Sequence, residues 1–348
     1  MPKRNEHITN LTVKQLHEAL QHIDEPAFRA KQVLKWVYQK RVTSFDDMKN
    51  VPKTLREKLK ENYSAEKMPV HYLLESKNGD AVKFGFTSDK NDGIIESVIV
   101  YDGRRRSLCI SSQLGCALGC VFCETGNMGF IRNLTQREII GQMIAANDYL
   151  FSHSDKLVTN IIFMGMGEAL LNYDTFISSL EIIMNDDCFG IRGRRITVST
   201  AGVIPSIERF INEDIKVGLA ISLNSYNNEA RNNVMPINKK YPIESLIKIV
   251  RSYYKKYGER VTFEYVLMHG ENDTAEAAES LIKQLKRVPC KINLIPINPF
   301  TNSSISAPTE ERLNQFAKRL AENGLYVTVR KSRGHDINAA CGQLAGKR

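Results

Sequence analysis

The chain has 348 residues, 42% of them hydrophobic and 25% charged, a globular balance with length for one large domain and a smaller one. No apolar run approaches the roughly 18 residues of a membrane span, and the polar start Met1-Pro-Lys-Arg-Asn lacks the apolar core of a secretory signal, so a soluble, cytoplasmic protein is expected, with no membrane partner. The net charge of +9 is uneven: residues 1–60 hold 13 Lys and Arg against 7 Asp and Glu, a balance of +6, leaving +3 for the rest.

Residues 12–62 read as short helices, with Leu and Val of Thr12-Val-Lys-Gln-Leu-His-Glu-Ala-Leu at helical spacing and Pro26 where a second helix would begin. That second helix interleaves Phe28, Trp36 and Tyr38 with Arg29, Lys31, Lys35, Lys40 and Arg41. Such a pattern suits stacking on bases beside phosphates, or else aromatics turned into the module's own core. A basic accessory domain is assigned to residues 1–65. Residues 66–107 read as a β extension: Val70–Ser76 and Ala81–Thr87 flank Asn78-Gly79, a hairpin signal, and Ile94–Tyr101 follows.

From residue 108 onward short apolar strands alternate with helical segments. The strands are Asn160–Met164, Arg195–Ser199, Val217–Ser222, Val261–Leu267 and Lys291–Ile295; helices are expected near 135–150, 174–186, 241–257, 274–287 and 309–323. With the strand at Ser107–Ser112 this makes about six βα units, too few for a closed barrel, so an open partial α/β barrel over 108–348 is expected.

The chemistry begins at the cysteines. There are seven, Cys109, Cys116, Cys120, Cys123, Cys188, Cys290 and Cys341, an odd number that speaks for metal or redox chemistry and against a disulfide scaffold. Cys116-Ala-Leu-Gly-Cys-Val-Phe-Cys has the form C-x3-C-x2-C and follows a strand, where barrel active sites gather. A four-iron cluster takes four thiolates, so three leave one iron open to a substrate ligand. A structural zinc site, the competing reading, wants a fourth Cys or His close by, and none is adjacent. Gly165-Met-Gly-Glu168 follows an apolar strand; its glycines suit close approach to a ligand or a generic strand-to-helix turn. Cys188 and Cys290 read as buried small hydrophobes.

The cluster loop, with Cys109-Ile-Ser-Ser-Gln, Arg132-Asn-Leu-Thr, Phe163-Met-Gly-Met-Gly-Glu, Val198-Ser-Thr-Ala-Gly-Val-Ile-Pro, Met235-Pro-Ile-Asn-Lys-Lys-Tyr, Lys291-Ile-Asn-Leu-Ile-Pro and Asp336-Ile-Asn-Ala-Ala-Cys-Gly-Gln-Leu, resembles the RlmN/Cfr family of radical S-adenosylmethionine (SAM) RNA methyltransferases, from about residue 10 to the end. The resemblance implies a (βα)6 radical SAM barrel with a [4Fe–4S] cluster on Cys116, Cys120 and Cys123. It implies two SAM molecules per turnover, and 23S rRNA, with tRNA as a further possibility, as partner. An electron donor such as flavodoxin or ferredoxin would feed the cluster, and a monomer is the default.

It further implies that Cys341 carries a methyl group that becomes a methylene bridge to an adenine C2. Glu96 would take the ring proton, and Cys109 would release the product by forming a transient disulfide with Cys341. Without the family, Glu96 reads as a solvent-facing strand carboxylate and Cys341 as a free thiol in a tail. By motif match, SAM contacts fall to Gly167, Glu168, Ser199, Ser222, Leu223, Asn224 and Asn298; Ser199 and Ser222 otherwise read as ordinary strand-end residues. Arg104–Arg106, Arg192 with Arg194 and Arg195, Lys239–Lys240 and Arg330–Arg333 are candidate phosphate contacts.

The chain departs from the pattern at Glu124, where relatives carry Ala or Ser, at Asn224, where His is common, and at Ile297, where the RlmN branch has Trp. Ala169 is Cfr-like. These leave open a Cfr-like C8 methylation. A non-catalytic RNA-binding protein with a structural metal would not need Cys109, Cys341 and Glu96. A radical SAM enzyme acting on protein or small molecules would not need the basic module.

Overall fold

A computed structural model describes residues 6–298 and 305–346. In the amino-terminal module, Thr12 and Gln15 form a reciprocal capping box at the start of α1 (Val13–Gln21). α2 (Phe28–Leu34) runs on into a π turn, and α3 (Lys53–Asn62) follows. β1 (Glu6–His7) pairs in parallel with β2 (Tyr63–Ser64), tying the two ends of the module together. Tyr38 is core, Trp36 is half-buried with its indole N–H on Asn50, and Phe28 is 52% exposed with the Arg29 guanidinium 4.6 Å from its ring centroid. Only Phe28 of the three therefore offers an open face for stacking. The module docks on the barrel, with Arg41 paired to Asp148 at 2.8 Å and the Gln136 amide donating to the carbonyls of Thr9 and Leu11.

One sheet then runs through most of the molecule. β3 (Val70–Glu75), β4 (Ala81–Thr87), β5 (Ile94–Asp102) and β6 (Arg105–Cys109) form an antiparallel meander. β7 (Gln113–Gly115) and β8 (Phe130–Asn133) make a small antiparallel pair, with α4 (Glu124–Asn127) between them. The barrel continues through α5 (Gln136–Ser154), β9 (Asn160–Phe163), α6 (Tyr173–Met184), β10 (Ile196–Thr200), α7 (Ile204–Asn212), β11 (Gly218–Ser222), α8 (Asn228–Val234), α9 (Ile243–Tyr257), β12 (Val261–Leu267), α10 (Ala275–Leu285), β13 (Cys290–Pro296), α11 (Glu310–Glu322) and β14 (Val327–Val329). The order is β14-β13-β12-β11-β10-β9-β6-β5-β4-β3, parallel from β14 to β6 and antiparallel beyond.

The fold is thus the expected open α/β barrel with one strand more, because β14 adds a seventh parallel strand. Helices α7 and α8 were likewise not expected. The parallel strands are apolar nearly throughout, since helices cover them: Phe163, Val198, Ile221, Phe263, Tyr265, Ile292 and Leu294 are all buried. Cys188 and Cys290 are buried too.

After β14 the chain turns back across the C-terminal ends of the strands. Asp336 accepts from Lys77 N at 2.8 Å, Lys83 Nζ donates to Asn338 O at 3.0 Å, Glu124 N donates to Gly342 O at 2.7 Å, and the Thr125 hydroxyl donates to Leu344 O. The β extension holds one side of this tail and the cysteine loop the other. No described helix is long and apolar enough to cross a membrane.

Candidate active site

The three-cysteine loop is slung between β7 and β8. Gly115 opens it at φ +71°, where a Cβ would lie 1.9 Å from Gly129 O, so only glycine makes this turn. Arg132 fixes the other strand through Asp92 and the fully buried Glu138, both at 2.7 Å. Arg132 is a strut for the loop.

Cys116 and Cys120 are buried and Cys123 is half-buried, and all three line one cavity of about 920 Å³, its open mouth included. Burial pushes every one of these thiols up, Cys116 to about 11; Cys123 adds to this at Cys116 and Cys120, and Cys341 adds to it at Cys123. The Leu118 amide opposes this at Cys116, and the Gly126 and Thr125 amides with the Thr125 hydroxyl oppose it at Cys123, by hydrogen bonding to sulfur. Donors aimed at sulfur are what an anionic thiolate cluster wants. Among the described residues no group of three His, Cys, Asp or Glu is arranged to hold a metal ion. The three cysteines share the lining of one cavity, room that suits a multi-atom cluster.

Along the same cavity lie Gly167, Glu168, Ser199, Ser222, Asn224 and Asn298. Glu168 is 4% exposed, and its carboxylate accepts from Ala201 N at 2.7 Å and Leu170 N at 3.3 Å. Burial raises it to about 7, against the pull of those donors and of the Thr200 hydroxyl. Asn298 donates to Cys341 O at 3.1 Å while its Oδ1 is buried with no partner among the described residues, an acceptor left for a ligand in the cavity. The donors, the buried carboxylate and this acceptor fit SAM beside a cluster.

Two expected contacts have other work. Leu223 is buried outside the cavity lining and contributes backbone bonds, its N–H to Glu264 O at 2.9 Å. Asn224 lines the cavity, yet its Oδ1 accepts from Val266 N and it sits at φ +54°, a conformation Asn tolerates well. Gly167, at φ +89°, has no room for a Cβ because Gln113 would be 2.3 Å away, so internal packing demands this glycine.

A second, basic cavity of about 1780 Å³ adjoins the first. Cys109, Arg105, Arg330, Lys331 and Arg333 line it, and its lining carboxylate, Asp102, is paired with Arg333 at 2.7 Å. Cys341 lies on both linings, as do Cys123, Met164, Gly165, Ile295 and Gly342. The Cys341 thiol therefore stands where the two spaces meet. Burial pushes the Cys109 thiol up to about 12, the neighbouring Cys341 adds to this, and the Arg330 cation opposes it. All seven cysteines are free thiols, so the Cys109–Cys341 disulfide is not formed.

Three expectations need correction. Glu96 is 2% exposed, not a solvent-facing strand carboxylate, and it lines neither cavity. Its Oε1 meets Lys83 Nζ at 2.6 Å and the Tyr72 hydroxyl, and its Oε2 accepts from Ala345 N at 2.8 Å and Gly346 N at 3.1 Å. It shares a strand face with Val98 and Val100 of the basic cavity, but the tail covers it. Arg330 is not a free phosphate contact: it sits against the two cysteines and is held charged by Cys341 first and then by Glu264. Arg192 and Arg194 lie with Gly218, Thr262 and Lys291 at the opposite ends of the strands. Two residues that the motif reading passed over, Lys83 and Arg231, prove to be wholly interior.

The sequence matches the family model for the ribosomal RNA large subunit methyltransferase N-terminal domain over residues 7–64 and that for the radical SAM superfamily over 110–285. It is 44% identical to the dual-specificity RNA methyltransferase RlmN of Marinobacter nauticus over 329 residues, 93% of this chain and 88% of that one. The fold superposes on the crystal structure of a radical SAM methyltransferase from Sphaerobacter thermophilus with a TM-score of 0.93 and 38% identity, covering 98% of this chain and 100% of that one.

Proposed function

The chain belongs to the RlmN family of radical SAM RNA methyltransferases, and from that premise we propose that it methylates C2 of an adenine in 23S rRNA, and in tRNA, through a methylated Cys341. The observation that carries this reading is the place of Cys341 on the wall between the Glu168 cavity and the basic cavity. One sulfur can then face the cofactor on one side and an RNA base on the other.

When bound, the cluster and SAM supply a methyl group for a thiol and the carbon-radical chemistry that an electron-poor adenine C2, with no lone pair, requires. Those two needs would account for two SAM molecules per turnover, with an electron donor of the flavodoxin or ferredoxin kind as a partner. Within the chain, Glu168 holds the ammonium of SAM and Asn298 Oδ1 accepts a further hydrogen bond. The Cys341 sulfur bears the one-carbon unit and joins it to the ring. Arg105 and Lys331 draw the RNA to the basic cavity, where an adenosine leaves its stack. The Cys109 thiolate attacks the Cys341 sulfur, so that an S–S bond forms as the S–CH2 bond breaks; the carbon keeps that electron pair, takes up a proton and leaves as the methyl group of the RNA. Glu96 is the carboxylate for the ring proton, and this role requires Ala345 and Gly346 to release its Oε2 first.

The Glu168 carboxyl, raised to about 7, is neutral below that pH and cannot then hold an ammonium. SAM affinity, measured by equilibrium dialysis, is expected to rise roughly tenfold between about pH 6 and about pH 8. The Glu168→Gln protein should bind weakly with no such rise. The regiochemistry is tested with anaerobically reconstituted protein, SAM, a reductant and protein-free 23S rRNA or tRNA, digested and analysed by mass spectrometry. 2-Methyladenosine is expected; 8-methyladenosine would overturn the C2 assignment.

A further inference from the structure

Arg231, on α8, heads the largest side chains wholly withdrawn from solvent, at 0% exposure. Its guanidinium donates to the carbonyls of Leu223 at 2.9 Å, Ser222 at 2.8 Å and Ala201 at 2.9 Å, and to Asn238 Oδ1 at 2.9 Å. Each of these acceptors is neutral. Among the described residues no carboxylate forms an ion pair with it, whereas the buried Lys83 and Glu138 each have an ion-pair partner. Hydrogen bonds to carbonyls satisfy its protons and leave its charge uncompensated, an expensive arrangement unless an anion stands close.

The neighbouring groups indicate which anion. Ala201, whose carbonyl takes one of the bonds, packs with Cys120 and Met235 in a small apolar cluster beneath the cysteine loop. Val121 N donates to Val234 O at 3.2 Å, strapping that loop to α8. Cys120 and Arg231 also act on each other electrostatically. The Ala201 N–H in turn is held by Glu168, so the single residue Ala201 lies between that carboxylate and the buried cation.

We infer that Arg231 is the buried counter-charge of the iron–sulfur centre, a fixed cation behind Cys120 that favours the reduced cluster over the oxidised one. Net charge and local dipoles set the potential of such a cluster, and a cation in a poorly hydrated interior is weakly screened. Arg231 is a positioning residue for Ala201, Ser222 and Leu223 as well, yet that duty alone would not move a redox equilibrium. The inference rests on reading the cysteine loop as a cluster site.

The test is a redox titration of reconstituted wild-type, Arg231→Gln and Arg231→Lys proteins, followed by the electron paramagnetic resonance signal of the reduced cluster. Loss of the charge in Arg231→Gln should disfavour reduction by about tenfold or more, which is 59 mV for one electron. Arg231→Lys, which keeps the charge and loses the fork, should stay within about threefold of wild type. A full cluster with unchanged potential in Arg231→Gln would overturn the inference and leave Arg231 a strut. Should Arg231→Gln fail to assemble, a potential in Arg231→Lys lowered by tenfold would overturn it equally. Wild-type protein that takes up no iron would overturn the cluster reading, and the inference with it.

Discussion

Replacement of Cys341 by alanine should abolish RNA methylation, by about 10³-fold or more, while iron content and SAM cleavage persist. The tail at this point is held by its backbone, through Asn298 on Cys341 O and Glu124 N on Gly342 O, so removing the sulfur leaves its path intact. Iron analysis, 5′-deoxyadenosine release and methyladenosine yield are read from one preparation. Full methylation by the alanine protein would sink the methyl-carrier role. In the proposed mechanism the companion change, Cys109→Ala, spares the step at Cys341 and removes the thiol that would free the product. A covalent protein–RNA adduct, seen as a band that resists denaturation and vanishes with nuclease, is the expected result.

The second large effect concerns stability. Glu96 and Lys83 are 2% and 5% exposed and form an ion pair at 2.6 Å, and both also bind the tail that carries Cys341, one on each side of it. Glu96→Ala leaves the Lys83 ammonium buried without a counter-ion, at an expected cost of about 3–5 kcal/mol in urea unfolding. The neutral pair Lys83→Met with Glu96→Leu should recover most of that loss, since apolar isosteres avoid the desolvation of both charges. Backbone amide exchange at Ala345 and Gly346 separates two roles. Glu96→Gln that speeds this exchange and prevents methylation of Cys341 marks a clamp. Glu96→Gln that permits methylation of Cys341 and then stalls as the RNA adduct marks the base. A Glu96→Ala protein as stable as wild type would show that the pair contributes nothing.

Much of the barrel was legible because parallel strands under helices are continuous apolar runs. Val261–Leu267 needs no context to be read as a strand. Val327–Val329 escaped because it is three residues long and half-exposed, and Asn228–Val234 because its sequence, Asn-Glu-Ala-Arg-Asn-Asn-Val, has no apolar stripe. The helix from Ile204 is short and carries Pro205 in its first turn.

In the site, the cysteine triplet is local in sequence and could be seen there. The partners of Glu96 at Ala345 and Gly346 lie about 250 residues away, so no window along the chain foretells its burial. In sequence Arg330 is one of three basic residues within Arg330–Arg333. What distinguishes it is the tail folding over it, a fact of topology. Arg231 gave no signal either, because a buried guanidinium on a polar helix resembles an exposed one until its carbonyl partners are known.

The ten-stranded sheet also bears on how this enzyme can be recombined. β5 is laddered to β6 over five residue pairs, and β6 to β9, so the hydrogen bonding is unbroken where the chain passes from extension into barrel. A splice near residue 107 that joined halves of two relatives would set one parent's β5 beside the other's β6, and one parent's Glu96 beneath the other's tail. The stretch after Ser64 and before Val70 crosses no such ladder, and a swap there exchanges the basic module alone. Hybrids cut at that seam keep both cavities and the tail over them on one parent's sheet.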